Sequence, residues 1–125
     1  MADTSLNENR IGLLIWQTSN LWQSKLRNKL SNHNISFNEY LIIETIYSLS
    51  NISSDINQID IVKNSFIDKS VVSAKLTQLN KKKLIKKMTP NDNRSNKLSL
   101  TKEGRNIVEN IIDDIVRTES NFLEN

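Results

Sequence analysis

The stretch from Asp68 to Arg105 constrains the fold more than any other part of this chain. Its first third has apolar residues at helical spacing. Two short strand-like segments follow, Leu84–Thr89 and Lys97–Thr101, and between them Pro90–Asn96 has the composition of a hairpin tip. Thr101 can then cap another helix. The order helix, hairpin, helix predicts a mainly α fold (α+β) with a small two-stranded sheet.

The segment from Arg10 to Leu30 predicts a long first helix. Its apolar stripe is wider than one small core needs. Trp16 and Trp22 lie on different flanks of that helix, because six residues correspond to about 600° of rotation. The sequence leaves two interpretations open: one tryptophan faces a partner subunit, or both are ordinary core residues.

A capping box starts the second helix. Ser36 and Glu39 have the spacing at which each side chain accepts a hydrogen bond from the other residue's amide. Ser54 or Asp55 can cap a third, shorter helix, and Phe66 and Ile67 are expected to fill the turn after it. Four apolar side chains of the third helix are predicted to face inward: Ile56, Ile59, Ile61 and Val62.

Asp68 is a suitable N-cap for a fourth helix with two distinct faces. One face is predicted to hold Val72, Leu76, Leu79 and Lys83, and the opposite face shows Ser70, Ala74, Thr77 and Lys81, flanked by Ser73 and Gln78. Two short helices joined by a tight turn, the second with small polar residues, predict a helix-turn-helix. The last helix is expected to bury a stripe of Ile107, Ile111, Ile115 and Val116, and to fray from Glu119 to Asn125.

Charge is unevenly distributed along the chain. Between Lys63 and Arg105 there are twelve Lys and Arg against three acidic residues, a net charge of +9, whereas the rest carries five against eleven, a net charge of −6. A concentrated basic segment favours binding to nucleic-acid phosphates. The alternative is that these lysines only keep a small domain soluble.

Composition excludes several classes of function. The chain has no cysteine, so disulfides, thiol chemistry and Cys-ligated zinc are excluded. His33 is the only histidine, and no carboxylate pair or glycine-rich phosphate loop accompanies it. We therefore expect no enzyme activity, no cofactor and no metal site. The length fits one domain, 1–125, and the start lacks a secretory pattern, so a cytoplasmic protein without membrane contact is expected.

With these segments in place, the chain resembles the MarR family of winged helix-turn-helix transcriptional regulators. The resemblance rests on ISFNEYLIIETIYSL, on INQIDIVKNSFIDKSVVSAKLTQLNKKKLI, on Asp92-Asn93-Arg94 and on LSLTKEGR. It implies dimerisation helices at about 8–32 and 102–123, with a DNA-binding lobe at about 36–101. It also implies a homodimer whose recognition helices enter successive major grooves of a pseudo-palindromic operator. Repression is the expected outcome.

The resemblance assigns the DNA contacts. Asp92 is expected to hold Arg94, whose guanidinium enters the minor groove; alternatively, Arg94 is a surface residue paired with Asp92 and nothing more. The predicted DNA-binding residues are Ser70, Val71, Ser73, Ala74, Thr77, Gln78, Lys81, Lys86, Asn93, Arg94, Asn96 and Lys97.

Some positions depart from the family. Lys83 stands where glycine is usual, and Ala74 and Lys75 also differ from the common residues. The chain ends before the further C-terminal helix that many members carry, so we expect either a less stable dimer or a larger contribution of the first helix to it. The resemblance also implies a small aromatic or phenolic anion as effector. Its binding site would be lined by Trp16, Tyr40 and Tyr47, although core packing explains these residues equally well.

Two other functions stay open at this point. A nucleoid-type protein that coats DNA without sequence preference would have the same basic segment. A winged-helix module can also act through protein contacts alone.

Overall fold

Helices form most of the part of the chain that the computed structural model describes, which is residues 10–88 and 97–124. Within it the order is α1 (Ile11–Leu30), a 3-10 turn (Ser31–His33), α2 (Phe37–Ser50), α3 (Gln58–Ser65), α4 (Lys69–Lys81), β1 (Ile85–Met88), β2 (Lys97–Leu100) and α5 (Lys102–Glu124). The predicted fold class, a winged helix-turn-helix with flanking helices, is confirmed. No helix in these ranges is long and apolar enough to cross a membrane.

α2 lies at the centre of the fold and packs against every other helix and β2. The predicted capping box begins it: the Glu39 amide donates to Ser36 Oγ at 3.2 Å, and the Ser36 amide donates to Glu39 Oε1 at 2.8 Å. Tyr40, Ile42 and Ile43 are fully buried. The cap therefore fixes the start of the helix around which the core forms.

α3 begins later than the sequence indicated. Its cap is Asn57, not Ser54 or Asp55, and Asn57 exchanges two hydrogen bonds of 3.0 Å with Asp60. Asn-x-x-Asp works as a capping box because both side chains carry an acceptor oxygen, like the more familiar Ser and Glu. The Asp55 amide instead bonds Ser53 Oγ in the preceding turn.

The expected burial of α3 is wrong at two positions. Ile56 and Ile61 are buried as predicted, but Ile59 is 61% exposed. Two residues correspond to about 200° of helix rotation, so Ile59 and Ile61 cannot both face the core. Phe66 does not fill the turn either: it ends α3 in a left-handed conformation, φ 60°, with its side chain 93% exposed. Only Ile67 of that pair packs against the core.

α4 ends in a turn that normally requires glycine. Val72, Leu76 and Leu79 are buried as expected, but Lys83 is outside the helix and exposed. Its φ is 62°. The Lys83 amide bonds Asn80 O at 3.1 Å and the Leu84 amide bonds Leu79 O at 3.0 Å, the pair of bonds of a Schellman motif. The lysine thus keeps the glycine geometry, at a cost of about 1 kcal/mol.

The wing strands pair antiparallel, with Ile85 opposite Leu100 and Met88 opposite Lys97. Leu98 is buried, and its amide donates to Ile56 O at 2.7 Å, which ties the wing to the segment before α3. The predicted tip, Pro90–Asn96, lies outside the described residues.

Thr101 joins the wing to α5. Its hydroxyl donates to Lys83 O at 2.8 Å and accepts from the Gly104 amide at 3.0 Å, so it caps α5 as predicted. The Thr101 amide also donates to Leu84 O at 3.1 Å. Thr101 therefore joins the turn after α4 to the end of β2 and the start of α5 through its hydrogen bonds.

α5 ends within one residue of the predicted bound of about 123. It continues as a helix to Glu124, and fraying from Glu119 stays a prediction. Ile111 and Ile115 are buried, together with Val108, but Val116 is largely exposed.

Candidate nucleic-acid interface

α4 presents a polar surface opposite its buried face. Five of the predicted contact residues are exposed there and Val71 is partly buried; the exposed ones are Ser70, Ser73, Ala74, Thr77 and Gln78. These side chains are small, so the helix backbone can approach a ligand closely. The major groove of DNA admits a helix of this kind.

Local hydrogen bonds orient two hydroxyls on this face. Ser70 donates both its amide and its hydroxyl to the Asp68 carboxylate, and these two bonds hold the pKa of Asp68 below its usual range. Thr77 Oγ1 donates to Ser73 O at 3.2 Å. With their protons engaged, Ser70 and Thr77 can only accept, which suits the amino groups of adenine and cytosine.

Basic side chains continue from α4 into the wing. Lys81, Lys86 and Lys97 are all exposed. Lys97 lies 3.8 Å from Asp55, and both side chains are largely in solvent, so that ion pair is weak. The three ammonium groups can therefore bind phosphates beside the polar face.

The remaining predicted contacts belong to the tip of the wing. Asp92, Asn93, Arg94 and Asn96 lie outside the described residues. Their roles stay predictions.

A partly buried ion pair lies behind α4, and no local sequence pattern predicts it. Lys82 Nζ lies 2.9 Å from Glu39 Oε2 and 3.0 Å from Oε1, and it also donates to Asn34 O at 2.8 Å. Burial alone would raise the pKa of Glu39, but hydrogen bonds from the Ser36 amide and Lys82 hold it below its usual value. The pair fixes the end of α4 against the start of α2.

The three aromatic residues proposed for an effector site differ in burial and in their hydrogen bonds. Trp16 is 62% exposed on α1. Tyr40 is fully buried, which raises its pKa, and its hydroxyl lies 3.5 Å from Glu44 Oε1. The Tyr47 hydroxyl donates to Glu109 Oε2 at 3.1 Å. One tyrosine therefore belongs to the core and the other bonds to α5, and an effector role for the three residues stays a prediction.

A cavity of about 560 Å³ lies instead along α1. Among the described residues its wall contains one acidic side chain and no basic one. A neighbouring carboxyl, Glu44, has its pKa raised by burial and by the charge of Glu119. The cavity is lined by Ile11, Leu14, Ile15, Thr18, Ser19, Trp22 and Glu119. An apolar group without negative charge fits this wall best.

Residues 29–117 match the sequence profile of the ArnR1-like winged-helix domain. Comparison with curated proteins gives no match. Among solved structures, the fold is similar to Staphylococcus aureus MepR in its complex with DNA, at a TM-score of 0.80 and 23% identity, covering 94% of this chain and 84% of that one.

Two further structures show the same fold. A MarR-family transcriptional regulator from Rhodococcus gives a TM-score of 0.81 at 16% identity, over 98% of this chain and 84% of its own. CouR from Rhodococcus jostii, bound to p-coumaroyl-CoA, gives a TM-score of 0.82 at 15% identity, covering 98% of this chain and 83% of that one. The predicted resemblance to the MarR family is confirmed at the level of the fold.

Proposed function

The chain belongs to the family of ArnR1-like winged-helix domains, and on that premise we propose that it is a sequence-specific transcriptional regulator that binds duplex DNA. The observation that carries the proposal is the exposed polar face of α4 beside exposed lysines of the wing. Hydroxyl and amide groups on a helix can distinguish base edges, and lysines bind phosphates without regard to sequence. The DNA in the MepR structure supports the same use of this fold.

We propose a homodimer paired through α1 and α5. Both helices leave apolar side chains in solvent: Ile11, Ile15, Trp16 and Leu21 on α1, and Val116 on α5. Apolar patches of this kind on a small domain commonly mark protein contacts. Two-fold pairing would place two copies of α4 on one side of the assembly, suited to an inverted repeat.

The deciding experiment is selection of randomised duplexes by the purified protein at moderate salt, followed by sequencing. We expect an inverted repeat with half-sites about one helical turn, roughly 10 base pairs, apart. Retention without enrichment would support the coating function, and no retention would support a protein-contact function. Either result would contradict the proposal.

Two variants, tested in the same selection, separate base recognition by α4 from phosphate binding by the wing. Thr77→Ala should change which bases are enriched, because it removes an acceptor from the base-reading face. Lys86→Ala should weaken binding to all duplexes alike. It should also reduce the slope of the logarithm of the binding constant against the logarithm of the salt concentration by about one unit. Arg117→Ala, which removes one positive charge from α5, is the matched control and should leave both unchanged. Identical behaviour of the Thr77 and Lys86 variants would count against base reading.

Repression is the regulatory outcome that we propose. A dimer spanning two successive major grooves covers a promoter segment and excludes polymerase from it. Activation would require a second surface for polymerase.

A ligand-responsive function is a second candidate, favoured by the cavity along α1. Ile11 and Ile15 line this cavity and also belong to the proposed dimer contact, so an effector bound there would compete with pairing. The ligand in CouR supports the use of this fold for effector binding. Because Glu119 is the charged residue in the cavity wall, we propose a neutral or cationic aromatic effector. The phenolic anion that the resemblance implied would face this carboxylate.

Thermal unfolding with a ligand panel tests the effector. A cationic aromatic compound at 100 times its Kd should stabilise the protein by about 2.7 kcal/mol, whereas the matching aromatic carboxylate should not. In Glu119→Gln the advantage of the cation should disappear. Stabilisation by carboxylates alone would instead favour the phenolic anion, and a flat response would exclude a site for these compounds.

A further inference from the structure

Phe66 combines two features that do not stabilise the folded chain. It ends α3 with φ 60°, a conformation that L-residues with a Cβ adopt at a cost of about 1 kcal/mol. Its ring is 93% exposed, so it adds almost nothing to the core. An exposed ring on a strained backbone, at a turn where glycine would be cheaper, points to a role in binding.

The surroundings of Phe66 are apolar and basic. Phe66 follows the last residue of α3 in a left-handed conformation, and Lys63 and Lys69 stand three residues before and three residues after it in the chain. Ile59 and Lys63 also line a groove of about 290 Å³ together with Lys69, the first residue of α4. This groove therefore leads to the start of the helix that we assign to the major groove, and its wall carries the two lysines that flank Phe66 in the chain.

DNA fits this surface better than an apolar protein segment does. Lysines on either side of an apolar ring match a ligand in which phosphates flank an apolar group. In the major groove that group is the 5-methyl of thymine, which phenylalanine side chains are known to contact. The N-terminal end of a recognition helix is the part that approaches base edges, and Phe66 lies three residues before α4 begins.

We propose that Phe66 contacts the 5-methyl group of a thymine when α4 occupies the major groove, and so adds a preference for thymine at one position in each half-site. This inference rests on the proposed DNA-binding function. The side chain of Phe66 would then let the turn of the helix-turn-helix contribute to base recognition, which the backbone of the turn cannot do.

The test compares thymine with deoxyuridine, which differs only by lacking the methyl group. The probe is the duplex enriched by the full chain, and the same duplex with every half-site thymine replaced by deoxyuridine. The wild-type chain should bind the substituted duplex about fourfold more weakly for each half-site in which a methyl group loses its contact, hence about sixteenfold for a dimer on two half-sites. Phe66→Gly should bind the thymine duplex more weakly by a similar or larger factor, and should no longer distinguish the two duplexes.

Stability is measured in parallel, so that a loss of binding is not mistaken for unfolding. Phe66→Gly should have the same or a higher Tm than wild type, because glycine relieves the left-handed backbone. Ile52→Ala, which shortens another exposed apolar residue in the loop before α3, is the matched control and should retain wild-type discrimination.

The outcomes separate the inference from the function on which it rests. If wild type binds the enriched duplex and Phe66→Gly binds both duplexes like wild type, the inference is wrong and the proposed function stands. If Phe66→Gly loses the same factor on both duplexes, the ring contacts the backbone and the thymine assignment is overturned. If wild type retains no duplex at all, the proposed function fails and the inference with it.

Discussion

Replacing Gly104 with alanine should lower the free energy of unfolding by about 3 kcal/mol, near the upper end for overpacked sites. A Cβ at this position would overlap the carbonyl oxygen of Leu84, a backbone atom. That carbonyl cannot easily move, because it accepts a hydrogen bond from the Thr101 amide at 3.1 Å. The extra methyl group must therefore separate α5 from the start of β1, or break the bond that joins them.

Gly12 provides the matched control for this substitution. A Cβ there would meet nothing within 4 Å. Gly12→Ala should therefore stabilise the protein by up to about 0.5 kcal/mol, less than in a helix interior, because Gly12 is the second residue of α1. Denaturant unfolding of both variants measures the two values. Equal effects of the two alanines, or no loss in Gly104→Ala, would show that α5 and β1 do not approach as closely as described.

Replacing Lys82 with methionine should lower the free energy of unfolding by about 2 kcal/mol at neutral pH. Methionine keeps much of the aliphatic stem but leaves the carboxylate of Glu39, which is 2% exposed, without its counter-ion. Breaking a fully buried pair costs more, but the Lys82 side chain is 32% exposed, so water screens part of the interaction. Lys81→Met, at an exposed neighbouring position, should change stability by less than about 0.5 kcal/mol.

The pH dependence identifies the carboxylate as the cause. Because the folded pKa of Glu39 lies below its ordinary value of 4.5, the ionised group stabilises the fold above that pH, and this contribution is lost as the pH falls through the folded pKa. The deficit of Lys82→Met should therefore be complete at neutral pH and should shrink below pH 4.5. Adding Glu39→Gln should recover part of it. A deficit that is independent of pH would indicate lost packing instead.

Patterns confined to a few residues were predicted correctly from the sequence. The Ser36 cap, the Thr101 cap and the buried stripe of Val72, Leu76 and Leu79 follow from spacings within one element, and each is confirmed. The fold class follows from their order. The start of α3 is an exception, because Asn57 and Asp60 form a capping box with a less usual pair of residue types.

Other features depend on contacts that no local pattern reveals. Lys82 and Glu39 are 43 residues apart, and nothing in either neighbourhood identifies the partner. Ile59 and Phe66 are apolar, so the sequence assigned them to the interior, yet both are in solvent. Apolar residues on a binding surface and in a core have the same composition, and only the packing separates them. The predicted contacts on α4 and in the wing remain to be tested by binding.

The hydrogen bonds of Thr101 connect the start of α5 to the turn that follows α4, so a movement of α5 is transmitted to α4. α5 has 23 residues, which corresponds to a length of about 34 Å. If α4 and α5 rotate together as one rigid unit, a displacement of about 3 Å at the end of α5 corresponds to a rotation of α4 by about 5°. In the proposed dimer, substitutions near the end of α5 would therefore change the separation of the two α4 helices by small amounts.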